Sequence, residues 1–114
     1  MNMNLFNEIQ NEHSLLKHGK GYLGPALTKE EEDYFLIKCV IVGFSSKEIV
    51  ANVRKSILRI WINNEKQKPI EVYSVKIDPN YVEVSEISSK LKNGILEIKI
   101  PKSKLSKDFQ IPIS

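Results

Sequence analysis

Few side chains in this sequence could carry out chemistry. The two histidines, His13 and His18, lie near the start, with Glu8 and Glu12 close enough to complete a weak metal site in principle. Solvated histidines on an arm are the simpler reading. The single cysteine, Cys39, stands mid-strand among apolar residues, where a thiol behaves as a small buried hydrophobe rather than a nucleophile, and alone it closes no disulfide. Gly19-Lys20-Gly21 is too short for a phosphate loop and lacks its Ser/Thr, and Glu30-Glu31-Glu32-Asp33 reads as a solvated turn. Lys99, Lys102, Lys104 and Lys107, with Trp61, Tyr73 and Tyr81 as stacking surfaces, could in principle follow a nucleic acid. Acidic residues are interspersed, however, and the net charge is only +3, so a solubilising tail is favoured. The sequence therefore gives no reason to expect a catalytic residue, a metal, a cofactor or a nucleic-acid partner.

What remains is binding, and the elements that position it follow from period and punctuation. At 114 residues, 41% hydrophobic and 27% charged, the chain has room for one small globular domain. No basic leader and no run of roughly 18 apolar residues is present, so a non-secreted, cytoplasmic protein without membrane contact is expected. Leu5, Ile9 and Leu16 recur at helical spacing, predicting an amphipathic arm over about Asn4 to Lys17, and three glycines with Pro25 then predict a linker. Residues 1–33 are thus read as arm and linker, 34–102 as the domain, and 103–114 as an extension.

From Tyr34 the period becomes two. Phe35, Ile37, Cys39 and Ile41 share a face, while Leu36, Val40 and Val42 leave the other face apolar as well. Further strands are expected over Ile49 to Arg54, Ile57 to Ile62 and Ile70 to Ile77. Two more, Ile87 to Leu91 and Leu96 to Ile100, flank Asn93-Gly94, the favoured pair for a tight hairpin. Short strands about ten residues apart, with no helix between them, predict an all-β antiparallel sandwich. In Ile111-Pro112-Ile113, extended geometry puts the two isoleucines about 7 Å apart on one side, and Pro112 stiffens them.

These stretches resemble the α-crystallin domain of small heat-shock proteins. The resemblance lies in Gly43-Phe44 before Lys47-Glu48-Ile49, in Ile57-Leu58-Arg59-Ile60, in Ser89 through Gly94 and Leu96 to Pro101, and in the terminal Ile-Pro-Ile. It implies an immunoglobulin-like sandwich that forms homodimers and larger homo-oligomers. It also implies that Ile111, Pro112 and Ile113 anchor in a neighbour's groove lined by Ile49, Ala51, Val53, Ser89 and Leu91. The implied activity is an ATP-independent holdase for partly unfolded clients, with Leu5, Phe6, Ile9, Leu15 and Leu16 of the arm as client surface. Val42 stands where the family usually has a proline, and the short link from Ile62 to Ile70 leaves little room for the extra strand that many relatives exchange between partners. The short link also resembles the co-chaperone CS domain, which implies the alternative of an adaptor with a specific partner.

Overall fold

The sharpest local signal is met at Asn93 and Gly94. In the computed structural model, which describes residues 15–66, 68–104 and 111–113, their φ angles are 53° and 77°, the left-handed pair that a two-residue hairpin turn requires. Eight strands follow in chain order: β1 (Leu16–His18), β2 (Gly21–Glu30), β3 (Tyr34–Val42), β4 (Ile49–Arg54), β5 (Ile57–Ile62), β6 (Ile70–Lys76), β7 (Ser88–Lys92) and β8 (Ile95–Pro101). They form a five-stranded sheet in the order β1-β2-β3-β8-β7 and a three-stranded sheet β4-β5-β6, with every pairing antiparallel. No helix among the described residues is long and apolar enough to cross a membrane.

The core lies where the inner faces meet. Ile37, Cys39 and Ile41 from β3, Leu96, Ile98 and Ile100 from β8, and Leu58, Ile60 and Ile62 from β5 form one buried cluster. Ile41, Ile60 and Ile62 are fully inaccessible, and burial of one such side chain contributes roughly 1.5–3 kcal/mol. Alternation does the sorting: in β5 the buried residues are separated by exposed Arg59 and half-buried Trp61.

The expected linker is strand instead. β2 pairs with β3 from Tyr22↔Val42 to Glu30↔Phe35, so the strand-forming region begins at Leu16 rather than at Tyr34. The glycines and proline that read as breakers have long-range reasons. A Cβ on Gly21 would fall 2.1 Å from the Val42 carbonyl oxygen and 2.5 Å from the Phe44 ring, so only glycine lets the two strands and that ring close together. Gly24 and Pro25 occupy a register shift between Leu23 and Ala26, where a strand tolerates a residue with no N–H. The helix expected over Asn4 to Lys17 lies largely outside the described residues, but its end, Leu16-Lys17, belongs to β1. On the outer face of β3, Val40 is fully buried and Val42 is 37% exposed.

Gly43 connects β3 to β4 with φ of +88°, and a Cβ there would lie 2.8 Å from the Gly21 Cα. Gly43→Ala should therefore cost about 1–3 kcal/mol. A lowered urea midpoint would register this, while Ser46→Ala on the exposed turn beside it should stay within about 0.5 kcal/mol of the original.

Candidate functional site

Two strands, β4 and β7, end their sheets on the same side of the sandwich. Among the described residues their outer backbone groups have no ladder partner, an arrangement that invites an added chain. Inward residues of these edges line a cleft of about 290 Å3 between the sheets. Ala51 and Val53 of β4 face Ser89 of β7 and Ile87 beside it, over a floor of Leu58 and Ile98. Register explains the floor: Val53 pairs with Leu58, and Ser89 with Ile98. Ala51 and Ser89 are too small to bridge the gap, and the slot stays open for that reason.

Of the five groove residues expected from sequence, Ala51, Val53 and Ser89 come together. Ile49 and Leu91 are not among the cleft's lining residues; like Val53 and Ile87, they pack against the main core. Val84, Ile87 and Ser88 complete the wall. Ile87 was visible in the alternation, but Val84 gave no signal because its place depends on a single 3-10 turn, Val84–Glu86. A second cleft of about 330 Å3 opens on the opposite side of the sandwich, between Phe35 and Ile100 of one sheet and Tyr73 and Val75 of the other.

The terminal Ile-Pro-Ile stands off its own domain. Ile111 is 79% exposed and Ile113 is 94% exposed. The chain is fixed until just after β8. Val82 bridges Lys102, the Lys102 N–H donates to the Asp33 carbonyl at 2.8 Å, and Ser103 Oγ donates to the Asn80 carbonyl at 2.7 Å. Residues 104–110 therefore separate the anchor from Ile111, a span of roughly 25 Å if extended.

Several of the side chains that could do chemistry have structural tasks. Burial pushes the Cys39 thiol up to about 11, so it does not supply a thiolate at neutral pH. Lys20, in the β1–β2 turn rather than a phosphate loop, donates to Glu48 Oε1 at 2.7 Å. The Ser45 N–H donates to the same oxygen at 2.9 Å, and Asn64 Nδ2 donates to Oε2. Lys20 leads these interactions, which hold the Glu48 carboxyl at about 2, well below its usual range. Lys102, its side chain 7% exposed, reaches Glu30 at 2.9 Å, and Lys99 lies over the Tyr34 ring at 4.3 Å. Trp61 faces outward on β5, whereas Tyr73, paired with Ile60, packs against the core, so these aromatics form no common stacking strip. His18 lies in β1. Among the described residues no group of three or more His, Cys, Asp and Glu could hold a metal.

A β4/β7 cleft in a sandwich of this topology, with an apolar tail beyond β8, defines an α-crystallin-type domain. Residues 27–114 match the model of the Hsp20/alpha crystallin family, and the chain belongs to that family of small heat-shock chaperones. Among solved structures, a small heat-shock protein from Xylella fastidiosa is similar with a TM-score of 0.59 and 18% identity, over 79% of this chain and 94% of that one. Heat shock protein 16.0 from Schizosaccharomyces pombe gives 0.58 and 18%, over 79% and 96%. The hspA protein from Xanthomonas axonopodis gives 0.56 and 22%, over 68% and 91%. No curated protein sequence matches the chain.

Glu48 gives a pH prediction whose sign is fixed by the lowered value. Its contribution is complete above about pH 4.5 and is lost as pH falls towards 2. Glu48→Gln should be less stable than the original at pH 7. Denaturation across pH should show that difference shrinking below about 4.5.

Proposed function

We propose that the chain is an ATP-independent holdase that self-assembles through its tail and binds partly unfolded proteins without chemistry. One observation carries the reading: the same chain leaves open both a slot between β4 and β7, floored by Leu58 and Ile98, and a pair of aliphatic knobs at Ile111 and Ile113. In one chain neither surface covers the other, so the slot is filled by a neighbour's tail. Burying two isoleucines contributes roughly 3–6 kcal/mol before ordering costs, which suits docking that releases on warming. Clients are captured by the arm, chiefly Leu5, Phe6, Ile9, Leu15 and Leu16. Of these, Leu16 is 64% exposed, while Leu15 approaches Gly24 beside Val40. A soluble assembly in the cytoplasm follows from this reading.

The activity is tested by light scattering of a heat-labile enzyme at a temperature that aggregates it, in ATP-free buffer. Scattering should fall as the chain is added, and replacing Leu5, Phe6 and Ile9 by serine should weaken that protection. Unchanged scattering, with the chain a monomer or dimer, would instead indicate an adaptor of the CS type.

The latch is tested separately. Ile111→Ala with Ile113→Ala should reduce the mass measured by size-exclusion chromatography with light scattering. Ser89→Trp, which fills the slot from inside, should do the same while leaving the tail intact. If neither variant changes the mass, the tail is not what holds the assembly.

A further inference from the structure

The outer face of the three-stranded sheet carries a feature that tail docking does not use. The two arginines of the chain, Arg54 and Arg59, and its single tryptophan, Trp61, meet at a cleft of about 660 Å3. The alternation that turns Leu58, Ile60 and Ile62 into the core turns Ile57, Arg59 and Trp61 outward. Arg54 stands opposite Ile57 on β4, and Glu71 opposite Trp61 on β6. Lys55 adds a third cation. Ile57 and Trp61 are half-buried, so an aliphatic and aromatic floor lies beneath a rim of three cations and one carboxylate. Lys20, Lys29, Lys38, Lys90 and Lys102 each approach a carboxylate. Among the described residues Arg54, Lys55 and Arg59 have no such partner.

We propose that this cleft receives residues 1–14 of a second copy of the chain. That segment is its chemical complement: it carries Glu8 and Glu12, no lysine or arginine, and the apolar Leu5, Phe6 and Ile9. Arg54 and Arg59 are diagonal neighbours across β4 and β5, about 7–8 Å apart. Guanidinium forks match carboxylates, and Trp61 offers a broad apolar contact between them. The arm comes from another copy because Leu15 lies against Gly24 beside Val40, on the outer face of the opposite sheet. Docking holds Leu5, Phe6 and Ile9 out of reach until the assembly loosens. That consequence rests on the holdase reading, whereas the docking itself does not.

Because Trp61 is the only tryptophan, its fluorescence reports on this cleft alone. In the assembled full chain, acrylamide should quench it weakly. Glu8→Lys with Glu12→Lys, which alters none of the described residues, should weaken docking roughly tenfold and raise quenching to that of an open indole. Co-expression of that variant with the Trp61→Phe chain supplies intact arms without a second fluorophore, and shielding should return. The proposal is overturned by strong quenching in the unaltered chain, by shielding that survives reversal of both glutamates, or by shielding that fails to return on co-expression. Shielding that appears only on adding oligothymidine overturns it as well and assigns the cleft to a nucleic acid. Loss of client protection alone, with the quenching pattern intact, counts against the holdase reading and leaves the docking in place.

Discussion

A three-stranded sheet stacked on a five-stranded one cannot cover its own edges, and the behaviour of this chain depends on that constraint. The inner faces are sealed by Ile41, Ile60 and Ile62, which are fully buried. At the β4/β7 edge the facing residues shrink to Ala51 and Ser89, and the seal stops short. Larger side chains there would close the sandwich at a gain of roughly 0.8 kcal/mol for each CH2 buried. In the proposed assembly the open slot leaves that burial to a neighbour's tail. A domain of this size has little stability to spare, and contacts between copies in the proposed assembly would add to it.

The end of the sandwich at Glu48 is held differently. Three connections meet there: the β1–β2 turn through Lys20, the β3–β4 turn through Ser45, and the β5–β6 link through Asn64. These loops are joined largely by hydrogen bonds to one carboxylate, with the Phe44 ring lying beneath Lys20 at 5.7 Å from its Nζ. Apolar packing fixes the two sheets face to face, and a polar junction fixes the loops at this end. The two respond to different stresses, because heat and denaturant act on the first whereas acid acts on the second.

Much of this was legible wherever the deciding interactions are local. Asn93-Gly94 defines its turn through its own backbone preferences, and the alternation of Leu58, Ile60 and Ile62 already separates the core from the outward Trp61. The family was legible from Gly43-Phe44, from Ser89 to Leu96 and from Ile111-Pro112-Ile113, and the match over residues 27–114 agrees. β2 was hidden because Gly21, Gly24 and Pro25 are breakers on their own. Contacts with Val42, Phe44 and Val40, far away in sequence, turn those residues into a strand. The resemblance also puts Ile49 and Leu91 in the groove; they pack against the core, as Val53 and Ile87 do, without lining the cleft. The convergence of Arg54, Arg59 and Trp61 needed the registers of β4 and β5 before it could be seen.

The most direct test of the central claim is a titration of the peptide spanning residues 103–114 into full-length chain carrying Ile111→Ala and Ile113→Ala, followed by amide NMR. Docking between β4 and β7 predicts saturable shifts at Ala51, Val53, Ile87 and Ser89, with Tyr73 and Val75 in the opposite cleft unmoved. Shifts confined to Tyr73, Val75 and Phe35, or no shifts at any peptide concentration, would contradict it.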